Sequence, residues 1–403
     1  MKSTFLGAVA ASLLFATAAH ADDKVVKIGV LTDMASLYAD LGGPGSVLAA
    51  QMAVEDSGLT KKGWKIDVIT GDHQNKPDVA VSLARKWFDE DKVDTIVDVP
   101  NSGVALAIAQ VVKEKNGVFM DSGAATSDLT GKACTPNTIH WTYDTYALAN
   151  GTGKAVVKSG GDSWFFVTAD YAFGHALQRD TAAVVEANGG KVVGSVNVPL
   201  NTPDFSSFLL QAQSSGAKVI GLANAGGDTT NSIKQAHEFG IASGGQKLAA
   251  LLLFISDVNA LGLDVAQGLE FTETFYWDMN DQTRAFSARF SQRMKNHAEP
   301  TMVHAGVYAS VLDYLKTLEA MGGNPHDGAK VVAKMKETPT DDPLFGKGTI
   351  REDGRVIHPA YLFQVKSPAE SKYPWDYYKL VATIPADEAF RPLSQSECPL
   401  VKK

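Results

Sequence analysis

The chain has 403 residues, 45% of them hydrophobic and 20% charged, and 37 Lys and Arg stand against 45 Asp and Glu for a formal charge of −8. This composition excludes a disordered tail or a collagen-like fibre, and the length predicts two lobes instead of one core. The acidic balance, without a run of five basic residues, excludes the electrostatic footprint that nucleic acid demands.

The chain opens with Lys2, an apolar stretch over 5–19, and the small-x-small triplet Ala19-His20-Ala21 ahead of Asp22-Asp23. This reads as a secretory signal peptide over 1–21, cleaved after Ala21, which puts the mature protein in the periplasm. The apolar stretch is short for a membrane helix, and no later segment reaches the ~20 apolar residues that one needs.

From Val25 onward, short β-branched runs alternate with amphipathic stretches. Strands are predicted over 25–31, 65–70, 95–99, 117–120, 164–168, 191–198, 219–223, 248–254 and 269–275. Val104, Ala107, Ile108 and Val111 share one helical face, as do Phe205, Phe208, Leu209 and Ala212. Alternation of this kind means parallel sheets with crossover helices, an α/β class of two Rossmann-like lobes.

A faint repeat supports the two lobes. Residues 28–33 run into Tyr38-Ala39-Asp40-Leu41-Gly42, and residues 165–170 run into Tyr171-Ala172-Phe173-Gly174. Each is a strand, an acidic loop, Tyr-Ala and a Gly before a helix. Ligands of open α/β sheets bind beyond the carboxyl ends of the strands, so Tyr38 and Tyr171 would face a ligand from opposite lobes.

Asn101-Ser102-Gly103 and the hydroxyl-rich run 121–127 also follow strands. Backbone N–H groups at a helix start, with a cap hydroxyl, can receive a carboxylate; plain capping by Ser102 is the alternative. Tyr171, Phe173, Tyr276 and Trp277 offer faces for an apolar ligand body, while Trp141 and Tyr143 read as hinge packing. No Lys or Arg lies in 33–45, 99–103 or 121–128, which disfavours a multiply charged anion.

Cys134 and Cys398 are the only cysteines, and an oxidising compartment predicts one disulfide between them, two free buried thiols being the alternative. Neither has an activating histidine in its local sequence. There is no Gly-x-Ser-x-Gly elbow and no His-Glu-x-x-His pair, and Gly151-Thr152-Gly153-Lys154 lacks the preceding glycine of a phosphate loop. The nine histidines show no ligand spacing, so no metal, no cofactor and no catalytic residue are predicted; His175 and His304 are the two to follow. Near the C-terminus, Asp353-Gly354 between extended runs predicts a hairpin in an antiparallel flap. Residues 140–143 and 274–277 read as crossings between lobes.

The ordered set of 27–33, 38–43, 50–56, 171–174, 204–208 and 348–354 resembles the type I periplasmic solute-binding proteins of ABC transporters, in the group of leucine/isoleucine/valine-binding protein. The resemblance implies two lobes joined by three crossings: 22–142 and 274–346 in the first, 143–273 and 347–403 in the second. It implies lobe closure over a small carboxylate, and a membrane permease as partner of a monomeric receptor. In that group the loops matching Asn101-Ser102 and Gly123-Ala124-Ala125 hold the ligand carboxylate. Here Ala125 replaces a hydroxyl, with Thr126 following; Phe173 and Ala225 stand where tyrosines are usual. The acid that holds a ligand ammonium falls within Leu251-Leu252-Leu253, and an unpaired buried ammonium is costly.

The chain is therefore also similar to relatives that take up aromatic carboxylates. The expected ligand set is Tyr38, Asn101, Ser102, Gly123, Ala124 and Thr126 with Tyr171, Phe173, Tyr276 and Trp277. The rival readings are a branched-chain amino acid or short amide binder, an exported hydrolase, and a sensor domain.

Overall fold

The structure, a computed structural model, describes residues 24–402, so the expected signal peptide and its cleavage site lie outside the described residues. The first sheet is parallel throughout, in the order β2-β1-β3-β4-β5, from β1 (Val25–Thr32), β2 (Lys65–Asp72), β3 (Thr95–Asp98), β4 (Val118–Asp121) and β5 (Thr138–His140). The second, in the order β7-β6-β8-β9, is also parallel and contains β6 (Ser163–Ala169), β7 (Lys191–Val198), β8 (Val219–Ala223) and β9 (Lys247–Ala250). Inner strands β3, β4, β6 and β8 are buried along their whole length, because helices cover both faces of a parallel sheet. The edge strand β7 alternates exposed and half-buried positions.

The expected strand 248–254 is shorter than its apolar run. It ends at Ala250, and Leu251, Leu252, Leu253 and Phe254 form a buried loop before the helix Ile255–Leu261. An unbroken apolar run records burial without recording backbone shape, and here Leu252 and Phe254 face the other lobe while Leu253 packs in the core of its own.

The chain continues with β10 (Glu270–Glu273), β11 (Thr340–Asp342), β12 (Gly346–Ile350), β13 (Val356–Ile357), β14 (Ala360–Val365) and β15 (Tyr378–Ile384). Two small antiparallel sheets result, β11-β12-β13 and β10-β14-β15. The Asp353-Gly354 hairpin forms between β12 and β13, where Gly354 has φ 86° and a Cβ would stand 2.4 Å from the Thr138 carbonyl oxygen.

Three passages join the lobes. Residues 141–144 leave β5 for the second lobe, and 274–280 return from β10 to the helix Asp281–Arg293, which packs on the first lobe's Gly43–Ser57. The third falls at His358-Pro359, later than the expected boundary after 346. Residues 346–357 stay with the first lobe, because Arg355 bridges to His140 of β5 and β12 packs on the helix Gly328–Glu337. Cys134 and Cys398 are joined, with Cα atoms 5.6 Å apart, tying the C-terminal segment to the loop after β4.

Candidate functional site

The carboxyl ends of both parallel sheets converge on a small cavity of about 10 Å³ between the lobes. Its first-lobe wall is Tyr38, Leu41, Pro100, Gly123 and Ala125; Tyr171, Phe173, Ala225, Leu252 and Phe254 form the second-lobe wall, and Tyr143 enters from the first passage. The lobes touch directly. Gly227 N–H donates to the Leu37 carbonyl at 3.4 Å, and a Cβ on Gly226 would stand 2.5 Å from that same oxygen. Larger grooves lie elsewhere, one of them beside the start of β9, away from the strand ends that converge here.

Tyr38 is held by the loop after β1. Asp33 accepts from the backbone N–H groups of Ser36 and Tyr38 and from the Asn75 amide, at 2.7–2.9 Å. Burial pushes the Asp33 carboxyl up, but these donors outweigh it and hold the group below the usual carboxylate value. Tyr171 caps the helix Ala172–Ala187, and its phenol oxygen lies 2.5 Å from that of Tyr38. Burial raises the pKa of both phenols, so each enters the cleft neutral.

At the end of β3 the backbone is strained: Asp98 has φ 78° and Val99 φ 63°. Left-handed geometry at a β-branched residue costs about 1–3 kcal/mol and persists only where the surroundings impose it. Here it turns Pro100 onto Gly123, whose added Cβ would stand 2.7 Å from Pro100 Cα. The Tyr143 hydroxyl donates to the Gly123 carbonyl at 2.7 Å and fixes that loop from the passage side.

The structure brings Tyr38, Gly123, Tyr171 and Phe173 of the expected ligand set together around the cavity. Four others stand just behind the wall. Asn101 Oδ1 accepts from Val104 N–H at 3.1 Å, and Ser102 Oγ accepts from Thr126 N–H at 3.2 Å, so both side chains have local partners. Thr126 Oγ1 accepts from Asp128 N–H at 3.3 Å; Ala124 N–H donates to Asp121, and the Ala124 carbonyl meets His140. The Ala125 N–H donates to no acceptor among the described residues.

Tyr276 and Trp277 do not reach the cavity. Their hydroxyl and indole N–H both donate to the Trp375 carbonyl, and Tyr276 stacks on Tyr378 at 4.6 Å between ring centroids. They pack beneath the β10-β14-β15 sheet, where aromatic mass serves the second lobe's core. His175 is exposed beside Asp170 at 3.1 Å. His304 is buried, accepts from Thr301 N–H at Nδ1 and donates from Nε2 to the Gly42 carbonyl at 2.8 Å. Burial lowers its pKa to about 4, which fits a neutral structural imidazole.

Leu41, Pro100, Phe254 and Tyr143 line the cavity without having been singled out as ligand contacts, and Ala225 and Leu252, noted only as departures from the amino-acid binders, line it too. Leu252 and Phe254 sit just past the end of β9, so their position beyond a strand was the available signal.

The sequence profile of the periplasmic binding protein family matches residues 25–372. The chain belongs to that family. This periplasmic binding protein is 52% identical to a solved periplasmic binding protein from Burkholderia mallei, covering 94% of this chain and all of that one with a TM-score of 0.90. It is 42% identical to a branched chain amino acid ABC transporter periplasmic ligand-binding protein from Burkholderia xenovorans LB400, over 94% of this chain and all of that one, with a TM-score of 0.83. A solute binding protein of an ABC transporter from R. palustris, solved in complex with 4-hydroxybenzoate, shares the fold at 23% identity, over 94% and 100% of the two chains, with a TM-score of 0.82. The leucine/isoleucine/valine-binding-like group and the fold of two parallel-sheet lobes expected from the motifs are therefore borne out. The protein is a periplasmic substrate-binding component of an ABC transporter.

Proposed function

We propose that the protein captures a small aromatic carboxylate between its lobes and delivers it to a membrane permease. The carrying observation is the wall chemistry. Apolar and aromatic side chains with neutral phenols surround the cavity, and among them is Leu252, from the run Leu251-Leu252-Leu253 where the resemblance puts the acid that holds an ammonium. With the lobes together the cavity leaves only about 10 Å³, room for no more than a water, so an aromatic ring would be admitted only as the walls part. Tyr38, Tyr171 and Phe173 would enclose that ring, as Leu41 and Phe254 would from either side. Gly123, Ala124 and Thr126, with Asn101 and Ser102 behind them, would shape the polar end, where the Ala125 N–H is the available donor. Tyr276 and Trp277 act in this reading as support for the second lobe. The R. palustris likeness agrees with an aromatic acid.

Closure is a population shift, and only contacts better made in the closed state drive it. In this reading the protein works as a monomeric receptor without a catalytic step. A branched-chain amino acid is the second reading, favoured by the B. xenovorans likeness. Native followed by denaturing mass spectrometry of the purified protein, then calorimetric titration with 4-hydroxybenzoate, benzoate and leucine, separates the two. Release or micromolar binding of an aromatic acid supports the proposal, and binding of leucine alone overturns it.

A further inference from the structure

Two carboxyl groups stand immediately behind the first-lobe wall, and neither contributes to the cavity surface. Asp98 and Asp121 are register partners on β3 and β4, both wholly buried. The Asp98 carboxyl lies between the loops that form the wall: a Cβ on Gly123 would stand 2.6 Å from its Oδ1, and one on Gly42 would stand 3.0 Å from its Oδ2. No salt bridge reaches this carboxyl among the described residues, and the Ser46 and Thr32 hydroxyls are the groups that approach it. Asp121 Oδ1 accepts from Ala124 N–H, while its Oδ2 has only the neighbouring His140 Nε2, which is already engaged by the Ala124 carbonyl at 2.8 Å.

Two ionised carboxylates side by side in a dry interior, without a cation on Asp98, would cost several kcal/mol. The ordinary resolution of such a pair is a retained proton. We infer that Asp98 and Asp121 hold a proton behind the cleft wall, and that capture of a carboxylate ligand is linked to that proton. This inference rests on the proposed carboxylate ligand for its second half only.

The surroundings support it from every side. Thr32 of β1 and Ser46 of the helix Gly43–Ser57 approach Asp98 and offset part of its rise, yet burial still pushes its carboxyl up to about 6. Burial pushes Asp121 well above the carboxylate range, with Asp98 adding to the rise and Arg355 opposing it. Arg355 is itself occupied by the Tyr143 and Val356 carbonyls and lies 3.6 Å from Asp144. His140 on β5 is held neutral by burial and by Arg355, His304 is neutral with its Nε2–H donated to the Gly42 carbonyl, and the Tyr143 phenol is raised by burial and by both aspartates.

The sign follows from charge. A ligand anion in the cavity raises the proton affinity of carboxyls behind the wall, so binding draws a proton from solvent wherever the empty protein is only partly protonated. Affinity for benzoate, which stays ionised throughout, then falls as pH rises from 5.5 to 8, by at most tenfold per unit for one linked proton.

The experiment has two arms on the full mature protein. Infrared difference spectra of the unliganded protein at pH 6, wild type against Asp98→Asn and against Asp121→Asn, read the C=O stretch of a protonated acid; its presence in the wild type and its loss in at least one of the two variants are expected. Calorimetry with benzoate in two buffers of different ionisation enthalpy, across pH 5.5–8, reads proton uptake directly on wild-type protein and needs no variant to fold. Uptake of a fraction of a proton near pH 7 is expected, with the pH slope at least halved in Asp98→Asn. Absence of the protonated-acid band overturns the retained proton, and zero uptake alongside measurable benzoate binding overturns the linkage. A band present with no binding of any aromatic acid leaves the proton pair standing and overturns the ligand reading instead.

Discussion

The phenol oxygens of Tyr38 and Tyr171 meet at 2.5 Å across the cleft, one from each lobe, and this is a side-chain hydrogen bond from wall to wall of the cavity. The two residues occupy equivalent places, each in the loop that follows the first strand of its sheet, β1 and β6. Their contact exists only with the lobes together, so it belongs to the free energy of closure.

Tyr171→Phe removes the hydroxyl while keeping the ring. A hydrogen bond between neutral groups contributes about 0.5–1.5 kcal/mol, so affinity for the captured acid is expected to fall roughly three- to tenfold. Tyr171→Ala removes the ring face as well and is expected to weaken binding more than tenfold. Calorimetric titration of both variants checks this, and an unchanged Kd for the alanine variant removes Tyr171 from the site.

Gly123→Ala places a methyl group 2.6 Å from Asp98 Oδ1 and 2.7 Å from Pro100 Cα. Overpacking of this kind typically costs about 1–3 kcal/mol and here displaces the first-lobe wall itself. A lowered melting temperature with at least tenfold weaker ligand binding is expected. Thermal unfolding and titration of the same preparation test both parts.

His304 gives a pH dependence whose sign is opposite to that of a buried acid. Its folded-state pKa lies near 4, below the value of about 6.5 in an unfolded chain, because burial penalises the imidazolium. The stability it contributes is complete above pH 6.5 and is lost as pH falls toward 4. His304→Gln is expected to flatten that acid-side loss, read as the difference in melting temperature between variant and wild type at pH 7 and pH 4.5.

The Cys134–Cys398 bond closes a loop of 264 residues in sequence separation. Its loss is expected to destabilise the protein by about 2–4 kcal/mol, chiefly through the unfolded state. The cysteines stand outside the cavity wall. Cys134→Ser/Cys398→Ser should therefore melt earlier while retaining ligand affinity at 25 °C; a lost affinity with an intact fold would show that the staple shapes the cleft.

The parallel strands were legible because β3, β4, β6 and β8 are short, apolar and bounded by loops, and their burial on two faces leaves no alternative period to misread. The same rule extended β9 four residues too far, since Leu252 and Phe254 owe their apolarity to the interlobe cavity and Leu253 to the second lobe's own core. Tyr38, Tyr171 and Phe173 were legible through the repeat of strand, loop and Tyr-Ala. Tyr276 and Trp277 looked equivalent in composition, but the carbonyl of Trp375, nearly a hundred residues away, holds both. No local pattern contains that contact. Asp98 illustrates the same gap, for its importance arises from register with Asp121 and from a left-handed turn that nothing in residues 95–99 announces.

The sequence distance between Cys134 and Cys398 also orders events in time. The thiol of Cys134 emerges with the first sheet, and its partner follows only after every strand of the second sheet and the last small sheet has been threaded out. A growing chain thus carries a single unpaired thiol for most of its synthesis, with no wrong partner within itself to choose. The native link can form only late, which leaves both lobes free to fold before they are fastened.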